Sequence, residues 1–552
     1  MIFLALLVSM LLLPFVDKAF NIDDPLFIWM AQHIQTNPGN PYGFAVNWYG
    51  TDMLMSAINK NPPLVSYYIA AAASVLGWSE PALHLAFLLP ALAVAIGMYL
   101  IARRFCEHPL LAALAGLLTP VFFMTGLTVM SDMLMLAFWV FAVYFWIQGI
   151  ETGKPRALAL AALLIGAAAL TKYFAISLIP LLGTYSIVKQ RRVGGSLLYL
   201  LAPVALLAWY QWTTHQLYGR GLLLDAAAYA TDTRPIYNKG AILKLYIGLV
   251  FTGGCIASAL FFARQLWSST ALALGALAAM LSAVAIASFS TMAAGPGTVP
   301  AHWLLALQLA IWGTAGATLL VLAALDLHRQ RDADSMFLFL WMIGTFVFAG
   351  FINWTTNGRS ILPMIVPAGI LIARRLERRA ASTRPGKLPA TIIPFVATAA
   401  LSLAVTWADF RFAETGRTGA RMIQEKYAAI AGSAWFQGHW GFQYYMQQRG
   451  AKALDVRNLH FARGDILAVP TTNTNIYAMA PGSTTLEAVE VPVCSWLATM
   501  NSGAGAGFYA DVFGPLPFAF GSIPAERFKI FSASPARARD ERAGTGASGQ
   551  LR

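Results

Sequence analysis

The chain has 552 residues, of which 58% are hydrophobic and only 11% charged, and its formal net charge is +13. Soluble globular chains carry roughly 25% charged residues, so a soluble domain of this size is excluded. No basic face interleaved with aromatics appears along the sequence, which excludes a grip on nucleic acid despite the positive balance.

Apolar runs of about 20 residues recur over the first three quarters, each long enough to cross a hydrocarbon layer as a helix. They predict an α-helical polytopic membrane protein with about thirteen transmembrane helices. These fall near 1–16, 82–101, 109–127, 133–150, 157–171, 174–188, 196–212, 241–263, 270–290, 303–325, 336–353, 361–373 and 389–407. Met1–Val16 lacks a basic n-region and a small-residue cleavage site, so it reads as a retained span rather than a signal peptide.

Orientation follows from the short turns. Arg103 and Arg104, Lys154 and Arg156, Lys189, Arg191 and Arg192, Arg264, Arg329 and Arg331, and the run from Arg374 to Lys387 all fall on one side. The other side holds half as many basic residues, mostly in long loops, where the positive-inside rule is weak. This puts the N-terminus in the cytoplasm, in what reads as a bacterial cytoplasmic (inner) membrane.

The transmembrane domain is expected to cover 1–407, with a long first outer loop at 17–80 and a second at 213–240. Within the first loop, Leu26, Phe27, Met30 and Ile34 after Asp24-Pro25 suit an amphipathic helix lying at the membrane surface. From 408 to 531 charge, Gln and Gly rise, and a small extracytoplasmic α/β domain is predicted, with a helix at Trp440–Arg449 and a strand at Asp465–Pro470. The stretch 532–552 is rich in Ala, Arg, Gly and Ser and is expected to be disordered. Cys106, Cys255 and Cys494 are far apart and show no ligand spacing, so neither a disulfide framework nor a zinc site is expected.

Candidate chemistry gathers on the outer side. Asp23 and Asp24 follow the first span, where a carboxylate can take a proton from an incoming hydroxyl or amine. The competing reading makes Asp24-Pro25 an N-cap and first helical residue. Lys60, in Asn59-Lys60-Asn61-Pro62-Pro63-Leu64, is either a phosphate contact or a solvated loop lysine. Asp132 follows Ser131 at the outer end of one span, and Lys172 follows Thr171 at the outer end of another. Ionisable groups beside spans are costly and often functional, but a cap and a snorkelling lysine remain open. Arg359 precedes Ser360-Ile361-Leu362-Pro363, where a guanidinium suits bidentate phosphate binding or headgroup anchoring. No metal ligands are assigned. No cofactor is assigned either, and a divalent cation stays open.

The acidic pair, the Lys-x-Pro-Pro-Leu element, Ser131-Asp132, Thr171-Lys172 and Arg359-x-x-Leu-Pro-x-x-x-Pro367 occur in that order over about 1–375. This order resembles the family 39 type glycosyltransferases of the GT-C fold, which include protein O-mannosyltransferases and lipid A aminoarabinose transferases. The resemblance implies a polyprenyl-phosphate sugar donor, a lipid, glycan or protein acceptor, and transfer of a hexosyl or pentosyl group with inversion. It implies Asp23 as the base, with Asp24 in place of the family's usual Glu. Lys172 and Arg359 would face the donor phosphate, and Asp24, Lys60 and Asp132 would contact substrate; the first-loop aromatics Trp48 and Tyr49 are read as stacking on sugar. The alternative is a transporter or flippase of a lipid-linked or small polar substrate. That would call for charges near the bilayer midplane and a repeated half, and neither is found.

Overall fold

A computed structural model of the protein describes residues 1–233, 240–294, 302–383, 391–427, 432–459, 461–462, 464–477 and 484–532. Seven described helices are long and apolar enough to cross a membrane. These are Glu80–Phe105, Ser131–Thr152, Gly195–Tyr218, Ser269–Ser288, Trp303–Gln330, Ala333–Ile352 and Ile392–Tyr427. Pro109–Leu117 and Pro120–Gly126 make an eighth if the pair, bent by 67°, is one span. Pro120 opens the second half of that pair, where its missing N–H removes a bond that a continuous helix would need.

Length alone therefore does not reach the expected thirteen. The runs at 1–16, 157–171 and 241–263 form the shorter apolar helices Ile2–Phe15, Pro155–Thr171 and Ala241–Cys255. The run at 174–188 becomes a 3-10 segment, Tyr173–Ser177, and the helix Leu178–Gln190. Leu89, Leu163, Leu281 and Val396 remain exposed on the helices. Such an outer surface is favoured against lipid tails rather than water, and the chain is an integral membrane protein.

The helices share two chemically distinct ends. At one end Arg104 pairs with Glu151, Lys189 with Asp334, and Arg374 and Arg378 with Asp326. These are the turns expected on the cytoplasmic side; Arg384 and Lys387 of the same run lie outside the described residues. The other end brings together the first loop, the start of Ser131–Thr152, the end of Pro155–Thr171 and the turn before Gly358–Ile361.

The first loop does contain the expected amphipathic helix, Asp24–Thr36, with Leu26, Phe27, Met30 and Ile34 buried. Its apolar face does not lie on a membrane surface, however. It packs on the helix Leu64–Leu76 and on the C-terminal helix Trp440–Gln448, which offer more apolar contact than a headgroup layer.

The helix Ile392–Tyr427 runs 36 residues, straight across the boundary expected at 407. Beyond it lies a five-stranded sheet in the order Lys452–Ala453, Ala434–Phe436, Ile466–Pro470, Glu526–Ser532 and Thr484–Val491. The first three strands are parallel and the last two pairings antiparallel. Gly419 lets the sheet reach this long helix, since a Cβ there would meet the Phe528 ring at 2.5 Å. The predicted tail lies, from residue 533 on, outside the described residues. All three cysteines are free thiols.

Candidate functional site

Local sequence sets each outer charge. The chain turns sharply before the helix Asp24–Thr36, with Ile22 at φ 51°. A β-branched residue is strained there by about 1–3 kcal/mol, and such strain persists only where surrounding contacts fix it. Those contacts come from Asp24. Its carboxylate accepts from the backbone N–H of Asn21 at 2.9 Å and of Val129 at 2.8 Å. Asp24 is therefore not the N-cap. Asp23 holds that position without a side-chain capping bond, and Pro25 is the second helical residue. Asp24 ties the first loop to the turn before Asp132, and burial pushes its carboxyl up to about 7.

Asp23 is left free to face the site. Its Oδ2 accepts from both Arg359 Nη1 and Nη2 at 3.1 Å. Arg359 projects from the short helix Gly358–Ile361, whose start is capped by Asn357 accepting from Ser360 N–H at 2.9 Å. Asp132, fully buried at the start of Ser131–Thr152, is ion-paired with Lys172. Lys172 ends the helix Pro155–Thr171, which packs antiparallel to Ser131–Thr152, so the pair closes the outer end of that hairpin. Asp132 also lies in the field of Arg359. Four ionisable groups from four separate segments thus form one cluster.

Two of its polar atoms, Arg359 Nε and Asp132 Oδ2, have no hydrogen-bond partner among the described residues. Asp23 is the most open of the four at 32% exposure, against 15% for Arg359, 19% for Lys172 and 1% for Asp132. The cations are thus recessed and the carboxylate is reachable from outside.

Lys60 is not part of this cluster. Its Nζ pairs with Asp225 at 2.6 Å, on the second-loop helix Leu222–Thr233. Between Lys60 and Lys172 stands a group of tyrosines that sequence reasoning missed. Tyr173 donates to Tyr210 at 3.2 Å, and Tyr42 lies 3.5 Å from Tyr210 and donates to the Asn61 carbonyl at 2.6 Å. Tyr173 follows Lys172 directly, which is the one sequence signal that pointed here. Trp48 is not available to stack on sugar. It is buried against Trp29 and His439, because the C-terminal domain covers it. Tyr49 is only partly buried, and its carbonyl accepts from Tyr477.

Three potential cation ligands stand close together in one group among the described residues: Glu107, His108 and Glu377. It belongs to the basic end, where the His108 backbone N–H donates to Glu377 at 2.7 Å and its ring Nδ1 lies 3.1 Å from the same carboxylate oxygen. Asp23 and Asp132 each pair with a cation of the protein instead.

Among solved structures, the chain is similar to ArnT from Cupriavidus metallidurans bound to undecaprenyl phosphate, at 14% identity and a TM-score of 0.45. That likeness covers 89% of this chain and 96% of that one. It is also similar to an oligosaccharyltransferase of Archaeoglobus fulgidus tethered with an acceptor peptide, at 12% identity and a TM-score of 0.47. There the cover is 82% of this chain and 63% of that one. Arabinofuranosyltransferase AftD from Mycobacteria matches at 14% identity and a TM-score of 0.38, over 98% of this chain and 40% of that one. No curated protein matches the chain. Residues 60–213 match the family described as dolichyl-phosphate-mannose-protein mannosyltransferase. That match bears out the resemblance drawn from the motif order, and residues 60–213 of this integral membrane chain are similar to that family.

Proposed function

We propose that the protein transfers a hexosyl or pentosyl group from a polyprenyl-phosphate donor to a lipid, glycan or protein acceptor, with inversion, on the extracytoplasmic face of a bacterial inner membrane. The observation that carries this reading is the cluster of Asp23, Arg359, Asp132 and Lys172. It sets one reachable carboxylate beside two recessed cations, one of which keeps an unpaired N–H.

The donor phosphate would bridge Arg359 and Lys172, where an anion in a partly desolvated site gains charge-assisted hydrogen bonds. Its arrival competes with Asp23 for Arg359 and so frees the Asp23 carboxylate. Asp23 then takes the proton of the acceptor O–H or N–H. The acceptor's electron pair forms the new bond to the anomeric carbon. The bond from that carbon to the phosphate oxygen breaks on the opposite face, and polyprenyl phosphate departs with the electron pair. The leaving group is already anionic and held by two cations, so the step needs no protein acid. Asp132, buried and paired with Lys172, holds that lysine in place.

Purified protein in lipid, incubated with a panel of labelled polyprenyl-phosphate sugars, tests the reading. Release of sugar from one donor by the intact protein, and its loss in Asp23→Asn with membrane insertion unchanged, is the expected result. Full turnover in Asp23→Asn would remove the mechanism.

A further inference from the structure

The C-terminal domain reaches the cluster through one short segment, Phe508–Asp511. The Phe508 carbonyl accepts from the N–H of Gly358 at 2.7 Å, next to Arg359. A Cβ at Gly358 would fall 2.3 Å from the Phe508 ring, so this close approach requires glycine. The Asp511 N–H donates to the Thr356 carbonyl at 2.9 Å, and the Asp511 carboxylate accepts from the Thr355 hydroxyl and from Thr356 N–H at 3.2 Å. Between these anchors the Tyr509 ring lies 5.6 Å from the Arg359 guanidinium carbon, a cation–π distance.

Tyr509 is itself fixed from behind. Its hydroxyl donates to Asp409 at 3.0 Å. Asp409 also accepts from Thr499 at 3.0 Å and pairs with Lys18 at 2.5 Å. Asp409, Lys18 and Tyr509 are almost fully buried. A buried pair of this kind is costly to assemble, and losing one partner leaves an uncompensated charge. Lys18 lies five residues before Asp23. One network therefore runs from the first loop through the long helix to the C-terminal domain and back to the arginine.

We infer that the C-terminal domain completes the donor site, with Tyr509 and Asp511 as positioning residues that hold Arg359 where it grips the donor phosphate. This rests on the proposed role of Arg359. The domain touches the face of the guanidinium and the backbone of Thr356 and Gly358 just before it, and leaves the N–H edge to Asp23 and the Met130 sulfur, contacts that a phosphate oxygen would replace. The ring and the two strand-like hydrogen bonds add to the cap and the helix contacts that orient the short helix Gly358–Ile361.

The test uses the full chain in lipid nanodiscs and measures inhibition by undecaprenyl phosphate together with donor KM and kcat. Tyr509→Leu is expected to weaken undecaprenyl phosphate and raise donor KM by the same factor, about fivefold or more, with a smaller change in kcat. Tyr509→Phe, which keeps the ring, is expected to recover most of that loss. If Tyr509→Leu fails to fold, Asp511→Asn serves, because it removes charge from the clasp and keeps its shape. Arg359→Gln separates the two ideas. If it binds undecaprenyl phosphate as well as the natural chain, the reading of Arg359 fails. If it loses binding while folded Tyr509→Leu and Asp511→Asn both keep it, the positioning role alone is overturned.

Discussion

The two ends of the helical bundle are both laced with ion pairs, yet they are built differently. At the basic end, Arg104, Glu151, Asp334 and Lys189 sit on helix ends and turns, and in each pair the cation is more exposed than the carboxylate. At the outer end, Asp23, Asp132, Lys172 and Arg359 come from four distant segments, and a second domain packs on the arginine. Ion pairing alone therefore does not mark a site. What marks it is a carboxylate more exposed than the cation it pairs with, as at Asp23 and Arg359, where the basic end has the reverse.

The comparison can be broken first at Asp23. Asp23→Asn should lower transfer by about 10²–10⁴-fold, the span a lost general base covers, measured as kcat/KM for the productive donor. A change of only a few-fold would leave the outer cluster no more functional than the basic end. Arg359→Gln should come next, raising donor KM about ten- to a hundredfold through lost charge-assisted bonds. Lys60→Met should do less, because Lys60 is engaged with Asp225 outside the cluster. An effect equal to that of Arg359→Gln would redraw the site around the tyrosines.

Asp24 sharpens the contrast through pH. Its carboxyl is raised by burial to about 7, so the folded protein holds that proton more tightly than the unfolded chain. The stability it lends is full below the ordinary carboxylate range and is lost as pH rises through about 7. Asp24→Asn removes the titration at the cost of one of the two accepted backbone N–H bonds, so it should lower the melting temperature throughout and flatten its fall between about pH 5 and about pH 8. At the other end, Arg104→Gln should leave transfer within about twofold and cost no more than about 1 kcal/mol, as exposed pairs do. A larger loss of transfer there would erase the distinction between the ends.

Much of the bundle was legible because apolar runs and flanking charges report directly on lipid. The count was less so. Whether 155–171 or 241–255 fully crosses depends on where a lysine, a glycine or a proline stops the helix, and hydropathy does not see those stops. For the site, motif order singled out Asp23, Asp132, Lys172 and Arg359, since charges beside spans are rare enough to stand out. Asp24 was misread because a cap and a loop tie look alike in sequence, and only the distant Val129 N–H tells them apart. Trp48 looked like a sugar platform until the C-terminal domain covered it. The Phe508–Asp511 segment left no trace in the sequence. It carries no motif, and its role exists only in contacts some 150 residues away, as between Asp511 and Thr356.

The helix Ile392–Tyr427 spans about 54 Å at the usual rise, while a hydrocarbon core is about 30 Å thick. One rod-like helix thus has a first half apolar enough to cross lipid and a second half packed on strands of the C-terminal domain, with Asp409 near its midpoint holding Tyr509. Thinning or thickening the bilayer would tilt that rod and shift the tyrosine against the arginine. Catalytic rate should then track acyl-chain length across a series of synthetic membranes, and a flat response would show that the lever is slack.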